Sequence, residues 1–203
     1  MTTCTQGQVD DPANRQVHDF YPTYPAATRA LLRNERFLGP VWEPACGAGD
    51  ISRVLKQEGF SVNSTDLYDY GYGSSGHDFL TYSGPRFQGN IITNPPFKHA
   101  QEFIEQALRS CTGKVAMFLR LAFLKGVGRS GKPGRKHLFE ATPLSTVYVM
   151  SRRVPMQRGR LAEKGDSTGV VAFSWMVWDT NANYFDDTVL KFLDWKEYEN
   201  ADA

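Results

Sequence analysis

Apolar positions along the 203-residue chain alternate between short continuous runs and helical stripes. Residues 26–37, AATRALLRNERF, carry apolar side chains at helical spacing and predict a short helix. Val41–Trp42 leads as a short strand into Glu43-Pro44-Ala45-Cys46-Gly47-Ala48-Gly49-Asp50. ISRVLKQEGF (51–60) then follows as an amphipathic helix, so this stretch reads strand, glycine turn, helix. Phe60–Asp66 alternates and predicts a second strand, and 70–77, YGYGSSGH, a glycine-rich loop. Gly89–Pro96 predicts a buried strand that two prolines end. Residues 100–111 repeat with the helical period, and KVAMFLRLAFL (114–124) is the unbroken apolar run typical of a central parallel strand. A glycine-rich loop (126–136) and a short helix near 137–141 come next. Residues 145–154 and 170–180 predict two last strands, joined by the basic segment 155–169. No internal repeat is evident.

Strands alternating with helices, and then two consecutive strands, predict an α/β sandwich. Its sheet should be mostly parallel with an antiparallel hairpin at one edge, and ligands should sit at the carboxyl ends of the strands. Residues 1–17 are polar and read as a flexible leader. FYPTYP (20–25) is punctuated by proline and is no helix interior.

Composition narrows the class. Hydrophobic residues make up 41% and charged residues 22%, which excludes a disordered or fibrous chain. Three cysteines without CxxC spacing argue against a structural zinc site and for a reducing compartment. No metal is therefore expected. No apolar run approaches the roughly 18 residues of a membrane span, and the N-terminus lacks a signal-peptide core. A cytoplasmic protein with no membrane partner is the expectation.

The net charge of +1 conceals an asymmetry. Ten basic residues lie between 125 and 164: Lys125, Arg129, Lys132, Arg135, Lys136, Arg152, Arg153, Arg158, Arg160 and Lys164. Glu140 and Glu163 are the only acids there, so this window carries +8 and the rest of the chain −7. A basic block in an otherwise acidic chain points to a polyanion such as nucleic acid. A set of solvated loops would account for the same charges.

Two motifs carry chemistry. In EPACGAGD, Gly47 and Gly49 let backbone pass close to a ligand. Ser52 stands where a dinucleotide fingerprint has its third glycine, which disfavours a nicotinamide oxidoreductase. Asp66, 17 residues beyond Gly49, is near the spacing at which an acid meets a ribose diol. In Asn94-Pro95-Pro96-Phe97 the prolines remove two N–H donors and leave carbonyls exposed beside the Asn94 oxygen, while Phe97 adds a flat face. That combination suits an amino group on a planar ring. Either motif alone has an ordinary reading as a turn.

Together, EPACGAGD and NPPF resemble the class I S-adenosylmethionine-dependent methyltransferases, in the amino-group branch that modifies adenine in DNA. FYPTYP is similar to the segment before the cofactor loop, with Tyr24 where proline is usual. His77-Asp78-Phe79-Leu80 resembles the cofactor element after the third strand. Small phage and prophage adenine methyltransferases are similar in size and in the pattern at Ser151–Arg153 and Trp175–Trp178. The resemblance implies a Rossmann-like sandwich with a seven-stranded sheet, in one catalytic domain over 18–203 without a separate target-recognition domain.

It also implies roles. Tyr21, Thr23, Glu43, Pro44, Ala45, Cys46, Gly47, Gly49, Asp66, Leu67, Asp78, Phe79 and Asn94 would bind S-adenosyl-L-methionine. Asn94, Pro95, Pro96 and Phe97 would form the catalytic loop. Glu43, Gly47 and Gly49 belong to the methionine end, Asp66 to the ribose, and Asp78 with Phe79 to the adenine. Cys46 is expected to pack under the glycine turn and not to act as a nucleophile. The expected activity is methylation of N6 of adenine in DNA, with the ten basic residues holding the nucleic acid. RNA bases or a protein amide as substrate, or a non-catalytic nucleic-acid-binding protein on the same fold, are the alternatives.

Overall fold

Strand β4 (Lys114–Arg120) sets the architecture, because its apolar residues are buried on both faces. Ala116 and Phe118 point into one core, Val115, Met117 and Leu119 into the other, as a two-residue period requires. In this computed structural model the described residues are 19–125, 134–156, 162, 169, 171–182 and 187–199. The expected leader, 1–17, lies outside them, as do Arg129, Lys132, Arg158, Arg160 and Lys164.

Six further strands flank β4: β1 (Val41–Glu43), β2 (Val62–Ser64), β3 (Asn90–Thr93), β5 (Leu144–Met150), β6 (Phe173–Asp179) and β7 (Val189–Leu193). The sheet runs β2-β1-β3-β4-β6-β5-β7. Only β6 is antiparallel to its neighbours, so the sheet is mostly parallel, as the alternation of elements predicts. The antiparallel strand is set one place further in than an edge hairpin would be. It lies between β4 and β5, and β7 borders the sheet parallel to β5. The sequence pattern predicts no strand at 189–193.

Several strands are shorter than the sequence predicts. The run 114–124 leaves the sheet after Arg120 because its partner β6 begins at Phe173, opposite Arg120. Leu121–Leu124 turns instead as a 3-10 helix. The second strand is confined to 62–64, where it pairs with β1.

Helices cover both faces. On one side, α1 (Pro25–Asn34) and α2 (Asp50–Gln57) contribute Ala27, Leu31, Ile51 and Leu55 to a core with Phe118 and Trp175. Pro25 starts α1 with the backbone angle a first turn needs. The Trp175 indole N–H donates to the Ala27 carbonyl at 2.9 Å and fixes α1 on β6. On the other side, α3 (Ala100–Ser110) and α4 (Lys136–Glu140) pack Phe103, Ile104 and Leu138 against Met117 and Trp178.

This topology decides where the loops go. β5 runs parallel to β4, because both oppose β6. The segments that follow β4 and β5 therefore leave from the same edge as Asn94, which follows β3. No helix among the described residues is long and apolar enough to cross a membrane.

Candidate functional site

The loop after β1 needs glycine twice. Gly47 has φ 51° and Gly49 φ 87°, in the left-handed region that side chains rarely adopt. The loop is braced from the next strand. Asp66, following β2, accepts the Gly47 N–H on Oδ2 at 2.8 Å and the Tyr68 N–H on Oδ1 at 3.0 Å. Its carboxylate is buried at 7% exposure. Aromatic rings close over the loop from outside. A Cβ on Gly47 would lie 2.4 Å from the Phe20 ring, and one on Gly49 2.5 Å from the Tyr72 ring. Phe20 in turn stacks on Tyr70 with ring centres 4.3 Å apart.

Beneath the loop is a buried acid. The Ser52 hydroxyl donates to the Glu43 carboxyl and lies 2.6 Å from the Ser64 hydroxyl. Burial pushes the Glu43 carboxyl well above its ordinary value, and the Ser52 hydrogen bond only partly opposes this. Ser52 thus does more than interrupt a dinucleotide motif: it satisfies the carboxyl at the end of β1. Burial also raises Asp50, against the pull of Arg53. The Cys46 thiol is pushed up to about 12 by burial and by the nearby Glu43 and Asp66. It stays protonated at neutral pH, which removes it as a nucleophile.

At the end of β3, Asn94 is held from the N-terminal segment. Its Nδ2 donates to the Tyr21 carbonyl at 2.8 Å and to the Thr23 hydroxyl at 2.9 Å. Among the described residues no donor reaches its Oδ1, and none reaches the Pro95 carbonyl. The Pro96 carbonyl accepts the His99 N–H at 2.9 Å in the turn at Phe97–His99. The Lys98 N–H is held by Asp19 Oδ2 at 3.0 Å. Phe97 is half-buried: Tyr21 stacks on it at 5.5 Å, Phe173 tilts against it at 5.8 Å, and the Arg120 guanidinium lies 4.8 Å from the ring centre.

Both motifs open on one cleft of about 620 Å³. Twelve of the thirteen residues expected at a cofactor line it: Tyr21, Thr23, Glu43, Pro44, Ala45, Cys46, Gly47, Asp66, Leu67, Asp78, Phe79 and Asn94. Gly49 stands behind, at the start of α2 under Tyr72. Of the catalytic loop, Asn94 and Pro96 line the cleft, whereas Pro95 is buried and Phe97 is packed under Tyr21. Asp78 begins a 3-10 turn by accepting the Leu80 N–H at 3.0 Å, and Phe79 is buried against Trp42 and Phe103.

Phe20, Asp50, Tyr70 and Phe103 also line the cleft, and no motif in the sequence marks them as site residues. Phe20 and Tyr70 carried a faint signal, as aromatic residues in segments rich in proline or glycine. Phe103 carried none, because its spacing is that of any core position of α3.

The described basic residues are partly engaged. Arg152 is paired with Asp194 at 2.9 Å, Lys136 with Glu140 at 3.3 Å, and Arg135 lies over Phe123 while donating to the Phe123 carbonyl at 3.1 Å. Lys125 and Arg153 are exposed. Among the described residues no group of three His, Cys, Asp or Glu is arranged to hold a metal ion.

No protein-family model matches the chain, and no curated protein matches it in sequence. Solved structures do match in fold. The methyltransferase subunit of a type I restriction-modification system from Streptococcus thermophilus is 15% identical, with TM-score 0.56. The match covers 86% of this chain and 47% of that one, so the chain spans about half the length of that subunit. A Listeria monocytogenes protein assigned to the class I S-adenosylmethionine-dependent methyltransferases is 14% identical, with TM-score 0.53, over 86% of this chain and 68% of its own. The 23S rRNA methyltransferase ErmE is 17% identical, with TM-score 0.51, over 80% of this chain and 70% of its own. The seven-stranded mixed sheet thus matches in fold the Rossmann-like sheet of these methyltransferase structures.

Proposed function

We propose that the chain is an S-adenosylmethionine-dependent methyltransferase acting on the exocyclic N6 amine of adenine in DNA. The observation that carries this reading is the orientation of Asn94. The Tyr21 carbonyl can only accept a hydrogen bond, so the atom facing it is Nδ2, and Oδ1 is left as an acceptor on a residue that lines the cleft. Asn94 Oδ1 and the carbonyl of the next residue, Pro95, are acceptors that would suit a nitrogen carrying two N–H groups. They mismatch a hydroxyl or a ring nitrogen, which offers one proton or none.

The lining of the cleft fits the cofactor. Asp66 places a buried carboxylate, the kind of acceptor that ribose hydroxyls require, on the wall of the cleft. Phe79 and Phe103 offer an apolar wall for a purine. S-adenosylmethionine, when bound, supplies the methyl group. Hydrogen bonds from the amine to Asn94 Oδ1 and the Pro95 carbonyl favour a pyramidal nitrogen whose lone pair faces that group. Alignment of this kind contributes several kcal/mol to lowering a barrier. A base in a duplex has to leave its stack to reach the loop.

DNA is favoured by the type I restriction-modification subunit among the fold relatives. The likeness to phage and prophage enzymes adds only the SRR and WMVW pattern. A second reading, methylation of an adenine amine in RNA, is favoured by the similarity to a 23S rRNA methyltransferase. The test is transfer of labelled methyl from the cofactor to DNA and to RNA, followed by nucleoside identification. N6-methyladenine in DNA is expected. Label in RNA alone would replace the first reading with the second, and label in neither would reject both.

A further inference from the structure

The segment before α1 crosses from one motif to the other. Phe20 covers Gly47, the Tyr21 carbonyl and Thr23 hydroxyl face Asn94, and Asp19 caps the turn after Phe97. Thr23 is 2% exposed and sits between Pro22 and the helix N-cap Tyr24. The sequence resemblance assigns Thr23 to the cofactor, and its hydroxyl also accepts an amide proton of Asn94.

A primary amide is nearly symmetric in shape, and only hydrogen bonds decide which end faces a ligand. Both Asn94 amide protons are taken by this segment, at 2.8 and 2.9 Å. From this geometry we infer that Thr23 is a positioning residue: with the Tyr21 carbonyl it locks the Asn94 amide so that Oδ1, not Nδ2, is offered to the reacting amine. The inference deepens the methyltransferase reading and rests on it for its kinetic consequence. With Thr23 replaced by valine, one amide proton loses its acceptor while the shape is kept. The amide then samples the flipped state, in which Nδ2 meets the substrate N–H groups donor to donor. A serine keeps the hydroxyl and should keep the lock.

The experiment compares Thr23→Val, Thr23→Ser and the wild type in the methyl-transfer assay, with cofactor affinity measured by calorimetry. Thr23→Val should lower kcat about tenfold to a hundredfold, the scale of a misplaced reacting group. KM for the nucleic acid and cofactor affinity should stay within about threefold. Thr23→Ser should return kcat to within about threefold of wild type. A Thr23→Val variant with wild-type kcat, or one whose cofactor affinity falls as far as its kcat, would overturn the inference. A second readout does not depend on turnover. The Asn94 side-chain amide signals in a nitrogen-15 spectrum, assigned by their loss in Asn94→Ala, should exchange with solvent faster in Thr23→Val than in wild type. Unchanged exchange would overturn the lock itself. A wild type that methylates nothing while its amide signals respond as expected would reject the enzymatic reading and leave the lock standing.

Discussion

Asp66→Asn separates the acid's structural part from its proposed ligand part. Each carboxylate oxygen accepts one backbone N–H, from Gly47 at 2.8 Å and Tyr68 at 3.0 Å. Asparagine has one oxygen and one NH2 group, so one backbone donor keeps its acceptor and the other faces a second donor. A hydrogen bond to a charged group contributes about 1.5–3 kcal/mol, and a buried donor without a partner costs about the same range. Removing the charge also relieves repulsion on Glu43, but Asp66 is the smallest of the causes raising that carboxyl, so the offset is minor. A net loss of about 2 kcal/mol is expected. For a domain of this length that lowers Tm by roughly 4–8 °C. The assay is thermal unfolding by circular dichroism at neutral pH without cofactor. An unchanged Tm would refute the bracing argument. Calorimetry on the folded variant then tests the ribose contact, where an affinity loss of about tenfold or more is expected and wild-type affinity would remove Asp66 from the binding surface.

Three further outcomes are expected. Asn94→Ala should abolish methyl transfer while S-adenosylmethionine still binds with near wild-type affinity by calorimetry, because its oxygen acts on the amine and not on the cofactor; retained turnover would contradict that role. Glu43→Gln should change the pH dependence of stability. A carboxyl raised in the fold contributes stability that is full below the ordinary value of 4.5 and drains as pH climbs toward the folded value, so the Tm of the variant should gain on wild type as pH rises above 4.5, and parallel Tm curves would contradict it. Alanine at Arg158, Arg160 and Lys164 together should weaken nucleic-acid binding and flatten its salt dependence without altering cofactor affinity, and a titration in which affinity and slope match wild type would remove that segment from the interface.

The parts legible in the sequence are those where one residue type answers one local demand. Gly47 and Gly49 stand where φ is positive, Pro25 where a helix starts, and the unbroken run of β4 where both sheet faces are covered. Long-range partners were not legible. Nothing near Ser52 announces that its hydroxyl meets Glu43 and Ser64, because three separate elements must fold before those atoms meet. The same holds for Thr23 and Asn94, 71 residues apart. Strand β7 escaped for a different reason. Four of its five residues are exposed, so it has neither the alternation of a half-buried strand nor the length of a central one.

That strand has a consequence for handling the protein. Among the described residues, β7 is hydrogen-bonded on one side, to β5, and ends the sheet on the other. Val189, Leu190 and Phe192 are 48%, 53% and 68% exposed along it. A row of open backbone donors and acceptors beside apolar side chains is a template for a foreign strand, which proteins commonly blunt with lysine or proline. Here the lysine in the strand, Lys191, leans its ammonium over the Tyr148 ring at 5.5 Å. A charged side chain at position 190 or 192 is therefore expected to raise solubility at high concentration without touching the cleft.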